Sequence, residues 1–338
     1  MKTKRNFKPF LKKITPEVIK KVYRTFVNKP INSIKPPQPN NGESYTNYKH
    51  LSDLKLYSDN EYCLNYLKTS MYDCKEPSNL GIIFHAYWIG MIGEKQIFSI
   101  NSVLATQKAA KVILWIDKKS WNLNKKNNLL ENMRGKIEIV CYDVFKEIKG
   151  TPFETLDRLH FSQYSDLPLR ADVFRIIILS KYSGVYFDLD IFFLRDISNL
   201  CKNDFIYCWE RQPYGNSAVL HLKSSNLIEN IALSIKEINT FIPWILFNYA
   251  NKNLKDLFVY PVTFFDPVWR ITNEKGYLYP IKSFSEFFNN SSNLSTYRDF
   301  FPGVYAYHWH NQWNVKPVQY SYFDIFQKEL TILLNSRI

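Results

Sequence analysis

The fold of this chain is decided by the stretch Leu179-Ser-Lys-Tyr-Ser-Gly184-Val-Tyr-Phe-Asp188-Leu-Asp190. Before it, apolar residues recur at helical spacing, so we predict a helix from about residue 165 to about residue 182 with Pro168 in its first turn. Gly184 is predicted to terminate this helix in a left-handed conformation. The apolar residues 185–187 then predict a short buried strand that ends at two carboxylates.

The residues before this unit alternate between strand and helix patterns. Continuous apolar runs predict buried strands at 82–88, 111–116 and 136–142, and helical patterns occupy 94–107 and 124–134 between them. Strands that are joined by single helices form right-handed crossovers and therefore a parallel sheet. We predict an α/β fold with a Rossmann-like, mostly parallel sheet flanked by helices. In such sheets, ligands bind beyond the carboxyl ends of the strands.

Asp188 and Asp190 follow the predicted central strand. Residues two apart on a strand face the same side, so the two carboxylates should lie close together. They repel each other, and burying either charge alone is costly. A divalent cation relieves both effects, and oxygen ligands suit Mg²⁺ or Mn²⁺, which keep positions open for phosphate oxygens. The pair predicts a metal site for a diphosphate leaving group, although carboxylate pairs are also common on solvated loops.

Three charged residues, Arg170, Asp172 and Arg175, interrupt the apolar helix. Asp172 and Arg175 are three residues apart and share one face. One interpretation is an ion pair on the helix surface, which stabilises little. The other is a partly buried pair beside the metal site, where it holds sugar hydroxyls and phosphate oxygens. The second is favoured because so apolar a helix has little surface to expose.

The segment Arg170-Ala-Asp172-Val-Phe-Arg175, followed by residues 179–190, resembles the DxD-containing sugar-binding region of glycosyltransferase family 32 and its relatives. These relatives include α-mannosyl- and α-galactosyltransferases and the glucosylating clostridial toxins. The resemblance implies a glycosyltransferase-A (GT-A) fold and a hexose transfer that retains anomeric configuration. It implies that Asp172 and Arg175 contact the donor sugar, that Tyr186 lies beside the site, and that Asp188 and Asp190 bind metal and nucleotide.

Two further segments are similar to the beginning and the end of the same family domain. His85-Ala-Tyr-Trp88-Ile-Gly90 resembles the opening strand, in which the Trp stacks on the nucleotide base. The closing segment of the family is matched by His308-Trp-His310-Asn311-Gln-Trp313. There the polar residues complete the metal site, and the last Trp approaches the diphosphate. Ser is common where Gln312 stands, so the third metal ligand is predicted to be His308, His310 or Asn311.

Four residues between these segments have two interpretations each. Asn216 matches a family position that faces the sugar, but a plain turn explains it equally well. Asp266 precedes a proline and is predicted as a turn residue rather than a ligand contact. Phe264 and Phe265 are predicted to pack in the core rather than to form a surface on which a sugar stacks.

The chain has 338 residues and a formal net charge of +13. We predict a basic N-terminal arm with a Pro-rich linker at 1–40, a helical extension at 41–80, the GT-A domain at 81–318 and a C-terminal helix at 319–338. The basic charge favours anionic partners, and the chain has no nucleic-acid-binding motif. The family resemblance implies a nucleotide-sugar donor and a glycan or lipid-linked oligosaccharide acceptor, and the basic charge suits a diphosphate lipid carrier. The five cysteines have no metal-ligand spacing and no signal peptide is visible, so we predict a cytoplasmic protein. The basic arm is either a solvated leader helix or a helix whose apolar residues contact a membrane surface.

Two other functions remain open from the sequence. A Mg²⁺-dependent phosphohydrolase of the haloacid-dehalogenase type also carries Asp-x-Asp after an apolar strand, with the first Asp as nucleophile. That alternative leaves the charged residues of the helix and the late His-rich segment unexplained. An inactive carbohydrate-binding or membrane-adaptor protein is the non-enzymatic alternative. It is disfavoured because Asp172, Arg175, Asp188 and Asp190 are all present.

Overall fold

The computed structural model describes residues 81–156, 167–209, 212–250, 257–260, 262–268, 280–281, 283–290, 294, 296–301 and 304–336. The predicted arm at 1–40 and the predicted helical extension at 41–80 lie outside the described residues. The division into domains stays a prediction.

Within these ranges the chain forms nine strands and nine α-helices. The strands are β1 (Ile83–Trp88), β2 (Lys111–Asp117), β3 (Glu138–Tyr142), β4 (Gly184–Phe187), β5 (Ile191–Phe193), β6 (Phe205–Trp209), β7 (Gln212–Leu222), β8 (Phe258–Tyr260) and β9 (Ala306–His308). The helices are α1 (Glu94–Thr106), α2 (Trp121–Asn124), α3 (Asn128–Glu131), α4 (Val144–Glu147), α5 (Leu167–Tyr182), α6 (Ser225–Ile238), α7 (Pro243–Ala250), α8 (Glu286–Asn289) and α9 (Tyr322–Asn335).

The main sheet has seven strands in the order β3-β2-β1-β4-β7-β6-β8. All neighbours from β3 to β4 are parallel, as are β6 and β8, whereas β7 runs antiparallel to both β4 and β6. The predicted α/β fold with a mostly parallel sheet flanked by helices is therefore confirmed. β4 occupies the middle of the sheet, as predicted for the strand that precedes Asp188.

Helices cover both faces of this sheet. One core cluster joins the sheet to α1 and α9, through residues such as Phe98 and Phe326. The other joins it to α5, α6 and α7, through residues such as Phe174, Ile231 and Leu246. Both faces of the central strands are thus buried, which explains why their sequences are continuous apolar runs. No helix in the described part of the chain is long and apolar enough to span a membrane.

The predicted helix at 124–134 is wrong: two short helices, α2 and α3, occupy this region. Two asparagine side chains explain the interruption. Asn127 accepts a hydrogen bond from the backbone N–H of Leu129 and so begins α3, and it also donates to the carbonyl of Ile92 at 2.8 Å. Asn124 donates to the carbonyl of Gly90 at 2.8 Å. Such side chains compete with helical hydrogen bonds.

The turn between α5 and β4 also differs from the prediction. Helix α5 ends at Tyr182, and Ser183 rather than Gly184 takes the left-handed position, with a φ of 57°. The imidazole Nε2 of His85 lies 3.0 Å from the Ser183 carbonyl, which ties the turn to β1. Gly184 begins β4 with a φ of 104°, and a Cβ there would lie 2.4 Å from the carbonyl oxygen of Ile83. Glycine is thus required for strand contact rather than for helix termination.

A second sheet consists of β5 and β9, which pair antiparallel. Its register places Ile191 opposite His308. The backbone N–H of Trp309 also donates to the carbonyl of Asp190 at 3.1 Å. This pairing brings the late His-rich segment directly against the two carboxylates, although the segments are far apart in sequence.

Candidate active site

Asp188 and Asp190 lie in a tight turn between β4 and β5. The backbone N–H of Ile191 donates to the carbonyl of Asp188 at 3.0 Å, and the N–H of Asp188 donates to the carbonyl of Ala218 in β7 at 2.8 Å. The prediction that both carboxylates follow the alternation of a strand is therefore wrong in its geometry. The turn achieves the same result, because one oxygen of each carboxylate and one nitrogen of His308 lie within 4.8 Å of one another.

Asp190 is held by the His-rich segment. Its Oδ2 lies 3.2 Å from His308 Nε2 and accepts the backbone N–H of Asn311 at 2.8 Å. Burial opposes ionisation of Asp190, but the charge and hydrogen bond of His308 outweigh burial and lower the pKa of Asp190 to about 2. Burial likewise opposes protonation of His308, yet Asp190 and Asp266 raise the pKa of His308 to about 10. Without a bound metal, these shifts favour a charged Asp190 and a charged His308, so a cation that takes His308 Nε2 as a ligand must displace its proton.

Asp188 is held from the opposite side. Its Oδ1 accepts a hydrogen bond from the hydroxyl of Tyr186 and lies 3.3 Å from Arg175 Nη2. Burial and the nearby charge of Asp190 raise the pKa of Asp188, even though Arg175 acts in the other direction. The side chain remains 26% exposed, so an ion or a substrate can reach it.

The arrangement fits a divalent cation. Asp188, Asp190 and His308 supply two carboxylate oxygens and one imidazole nitrogen within 4.8 Å. Carboxylates suit Mg²⁺ and Mn²⁺, and the imidazole favours Mn²⁺ over Mg²⁺. Burial and the charge of Asp190 oppose ionisation of Asp188, and a bound cation would offset this cost. The donor set and its charge thus agree with the metal predicted from the sequence.

Arg175 joins the metal-binding turn to α5. Its guanidinium donates to the hydroxyl of Ser217, lies 3.3 Å from Asp172 Oδ1 and covers the ring of Tyr186 at 4.5 Å. The side chains of Arg175 and Asp172 are only 7% and 13% exposed, so they do not form a helix-surface ion pair. Burial raises the pKa of Asp172 to about 7. Asp172 is therefore able to carry or release a proton near neutral pH.

The two tryptophans predicted to contact the nucleotide lie against each other. The rings of Trp88 and Trp313 have centroids 4.9 Å apart in an edge-to-face arrangement. Trp88 Nε1 donates to the carbonyl of Met91 at 3.0 Å, and Trp313 Nε1 donates to Asn311 Oδ1 at 3.0 Å. Lys95 of α1 donates to the carbonyl of Val315 at 2.6 Å, which anchors the segment that carries Trp313.

The three candidates for the third metal ligand have different environments. His308 faces Asp190, as described above. His310 Nε2 instead lies 2.6 Å from Asp266 Oδ2, outside the group formed by Asp188, Asp190 and His308. Asn311 contributes its backbone N–H to Asp190.

Asn216 lies within β7 opposite Tyr207, and its side chain accepts the N–H of Ala218 at 2.9 Å, so a plain turn does not describe this position.

Two site residues were not predicted. Ser217 is buried and bonds to Arg175; only the family position of its neighbour Asn216 pointed to this place. Asp266 was predicted as a turn residue, and its backbone does lie in a turn, because its N–H donates to the carbonyl of Val262 at 2.8 Å. Its side chain, however, is fully buried and contacts both His308 and His310. Asp266 comes close to the β5–β9 pair only through tertiary folding. No local sequence pattern reveals such a contact. Phe264 and Phe265 are fully buried, which confirms core packing.

Comparison with known proteins gives one family match. Residues 93–206 match the family model described as "Glycosyltransferase sugar-binding region containing DXD motif". The matched range contains α5, β4 and one Asp-x-Asp sequence, at Asp188 and Asp190. A search of curated proteins finds no match.

Three solved structures are loosely similar to this chain. The PaToxG glycosyltransferase is 15% identical, with a TM-score of 0.41 over 59% of this chain and 78% of that chain. The glycosyltransferase GlyE of Streptococcus pneumoniae TIGR4 is 11% identical, with a TM-score of 0.40 over 76% and 62%. An active-site mutant of LgtC is 13% identical, with a TM-score of 0.39 over 75% and 96%. The fold class rests on the sheet described above. The family match confirms the resemblance predicted from the sequence: residues 93–206 are similar to the DXD-containing glycosyltransferase sugar-binding region, and Asp188-Leu189-Asp190 is the Asp-x-Asp sequence within them.

Proposed function

We propose that this chain is a divalent-metal-dependent, retaining glycosyltransferase that transfers a hexose from a nucleotide sugar, with UDP-hexose as the favoured donor. The observation that carries the proposal is that Asp188, Asp190 and His308 bring two carboxylate oxygens and one imidazole nitrogen within 4.8 Å of one another. This group lies in a region that matches the DXD-containing sugar-binding family. Arg175 and Asp172 lie directly behind it.

Asp188, Asp190 and His308 would hold Mn²⁺ or Mg²⁺. When bound, such an ion supplies positive charge that stabilises a departing diphosphate. The protein contributes a rigid arrangement, because Asp190 is fixed by a backbone N–H and Asp188 by Tyr186 and Arg175. Preorganised groups of this kind need no reorganisation during the reaction.

The remaining predicted residues divide between the nucleotide and the sugar. The paired rings of Trp88 and Trp313 provide apolar surface for the nucleotide base and for the region next to the diphosphate. Asp172 and Arg175 are assigned to the hydroxyl groups of the donor sugar, with Asn216 and Tyr186 beside them. Both classes of contact are proposals that follow from the family resemblance and from the position of these side chains around the DXD turn.

The proposed reaction proceeds on one face of the sugar. The bond between the anomeric carbon and the diphosphate oxygen breaks, and a bond to the acceptor hydroxyl oxygen forms. The hydroxyl proton passes to the departing diphosphate oxygen. Each carboxylate described at the site faces a basic side chain: Asp172 and Asp188 face Arg175, Asp190 faces His308, and Asp266 faces His310. This engagement disfavours a double displacement through a carboxylate nucleophile.

The acceptor is proposed to be a glycan or a lipid-linked oligosaccharide. A net charge of +13 favours an anionic carrier such as a diphosphate lipid. Peripheral membrane contact through the basic residues at the start of the chain, and a cytoplasmic location, complete this part of the proposal. Vesicle co-sedimentation with and without anionic lipid tests the membrane contact.

The phosphohydrolase alternative is not favoured. Its nucleophilic Asp would be Asp188, whose Oδ1 accepts a bond from Tyr186 and lies beside Arg175. The phosphohydrolase alternative also leaves α5 and the His-rich segment unexplained. In the structure, residues of both surround the two carboxylates. The family match also points to sugar transfer.

A donor-turnover assay tests the proposed function. The protein is incubated with UDP-glucose, UDP-galactose or GDP-mannose, with Mn²⁺ or with EDTA, and the release of nucleoside diphosphate is measured. We expect turnover of a UDP-hexose that requires the metal. Asp190→Asn should reduce turnover by at least about 100-fold while the fold is retained.

Asp196→Asn is the matched control. Asp196 follows β5 and accepts the backbone N–H of Ser198 at 2.9 Å, away from the DXD turn. Turnover by this variant should equal that of the wild-type protein. Glycan binding without turnover of any donor would favour the adaptor alternative. Mg²⁺-dependent hydrolysis of a phosphomonoester, with no donor turnover, would favour the phosphohydrolase.

A further inference from the structure

Asp266 is a fully buried carboxylate in the loop after β8, and no sequence motif assigns it a role. Its Oδ2 faces two histidines, while its Oδ1 is buried without a hydrogen-bond partner among the described residues. A buried carboxylate that is only partly satisfied is costly and needs an explanation. The explanation lies in the residues that its Oδ2 contacts.

His308 lies between Asp266 and the DXD turn. Its Nε2 points to Asp190 at 3.2 Å, while its Nδ1 lies 3.6 Å from Asp266 Oδ2. The hydroxyl of Tyr207 lies 3.3 Å from the same Nδ1. The two nitrogens of one ring therefore face two different carboxylates. A hydrogen on Nδ1 leaves Nε2 able to act as a ligand, and the group that accepts this hydrogen fixes the ring orientation.

Asp266 also contacts His310, whose ring packs against that of His308. His310 Nε2 lies 2.6 Å from Asp266 Oδ2, and its ring stacks on that of His308 with centroids 3.8 Å apart. His310 and Asn311 both have left-handed backbones, with φ values of 46° and 57°. This conformation is unfavourable for most residues other than glycine, although asparagine tolerates it better than most. The contact with Asp266 and the N–H bond from Asn311 to Asp190 hold the segment in it.

We propose that Asp266 is a positioning residue: it holds His308, and the His310 ring stacked on it, so that His308 Nε2 faces the cation between Asp188 and Asp190. Asp266 itself does not contact the substrate or the ion. The inference rests on the proposed function, because it concerns the metal of that site. It adds a residue that lies far from the DXD motif in sequence and outside residues 93–206, which the family model matches.

The test is the affinity of the purified protein for Mn²⁺, measured by electron paramagnetic resonance of the free ion. Asp266→Asn keeps the side-chain volume but removes the charge. We expect it to weaken Mn²⁺ binding by about 10- to 100-fold, as is typical when a residue that orients a metal ligand is changed. The melting temperature in EDTA, measured in parallel, reports whether the fold is retained.

Two variants separate positioning from general effects. Asp204→Asn removes another buried carboxylate, which accepts backbone N–H bonds from Lys223 and Ser224 away from the site, and it should leave Mn²⁺ affinity unchanged. Tyr207→Phe removes the other group near His308 Nδ1, and we expect a loss of less than about threefold. Wild-type affinity in Asp266→Asn would overturn the proposal, and so would a large loss in Tyr207→Phe alone.

The tautomer of His308 can be measured in the wild-type protein, so this test does not depend on whether Asp266→Asn folds. In the diamagnetic Mg²⁺-loaded protein, nitrogen-15 NMR of the histidine rings should show a protonated Nδ1 and an unprotonated Nε2 for His308. The reverse tautomer would overturn the proposal. The proposed function fails separately: Mn²⁺ binding that survives in Asp190→Asn contradicts the DXD site, whereas binding lost there and intact in Asp266→Asn contradicts only the role of Asp266.

Discussion

Asp188 and Asp190 owe their positions to different neighbours. Asp190 is fixed by His308 and by the N–H of Asn311, while Asp188 is fixed by Tyr186 and Arg175. At the scale of single residues, the sequence identifies the site residues on α5 and those at the end of β4. These two elements follow each other in the chain, and a helix usually packs against the strand that follows it. It does not identify Ser217 or Asp266, since their contacts with the site arise only from tertiary folding.

Arg175 offers a prediction at this scale. It is buried and lies within 3.3 Å of both Asp172 and Asp188. Arg175→Met leaves these carboxylates without their cation, and removing one member of a buried ion pair typically costs about 3 to 5 kcal/mol. We expect the free energy of unfolding, measured by urea titration in EDTA, to fall by an amount of this order. Arg175→Lys, which keeps the charge, should lose less.

Arg134→Met is the matched control for this prediction. Arg134 also pairs with a carboxylate, Glu131, at 2.8 Å, but both side chains are largely exposed. Exposed ion pairs contribute little, so this variant should unfold like the wild-type protein. Equal losses in Arg134→Met and Arg175→Met would contradict the importance that we assign to burial at the site.

At the scale of elements, the turn between α5 and β4 decides where the carboxylates lie. The sequence predicts the helix, the turn and the strand in the correct order. It assigns the left-handed position to Gly184 rather than to Ser183, because glycine is the usual residue there. The structure shows a different use for the glycine: its missing side chain lets β4 approach the carbonyl of Ile83 in β1. Such a close approach between strands cannot be read from a local pattern.

Gly184→Ala tests this account of the turn. The new Cβ would lie 2.4 Å from the Ile83 carbonyl oxygen, so β4 must move away from β1. We expect the free energy of unfolding to fall by at least about 2 kcal/mol, which exceeds the cost of a left-handed backbone alone. Donor turnover should fall as well, because β4 leads directly into Asp188. Circular dichroism during urea titration measures the first effect.

Gly150→Ala provides the comparison. Gly150 also has a positive φ, of 74°, but no atom lies within 4 Å of the position that a Cβ would take. This variant carries the backbone strain without the clash. An equal loss of stability in the two variants would show that strain alone, and not contact with β1, explains the glycine at 184.

At the scale of the whole molecule, the parallel half of the sheet is the part that the sequence predicts. Strands β2, β3 and β4 each follow a helical segment, and that alternation allows only a few topologies. On the other side of β4, β7 pairs antiparallel with β4, and β6 pairs antiparallel with β7. The sequence does not predict this half, because local patterns carry no information about which distant strands pair.

Two buried histidines predict how stability depends on pH. Burial lowers the pKa of both His85 and His221 to about 4, from an ordinary value of 6.5. As the pH falls below 6.5, the unfolded chain binds protons that the folded chain does not bind until about pH 4. The contribution of these two histidines to the free energy of unfolding is therefore fully present above pH 6.5, and it is lost as the pH falls towards 4. Between about pH 7 and about pH 5, each histidine should cost about 2 kcal/mol.

His221→Asn isolates one of these contributions. His221 Nδ1 lies 2.8 Å from the carbonyl of Asn203, and the amide nitrogen of asparagine occupies a similar place without titrating. The free energy of unfolding is measured by urea titration at both pH values. The loss on acidification should be smaller in the variant by about 2 kcal/mol. Identical losses in the two proteins would mean that His221 is protonated in the folded state.

The claim on which the rest depends is that Asp188, Asp190 and His308 hold a divalent cation. Anomalous diffraction from crystals grown with MnCl₂ and UDP, recorded on both sides of the manganese absorption edge, tests it most directly. The account predicts one anomalous peak between the two carboxylates and His308 Nε2, within about 2.5 Å of its ligand atoms. A structure with no peak at this place, or with manganese bound by Asp266 and His310 instead, would contradict it.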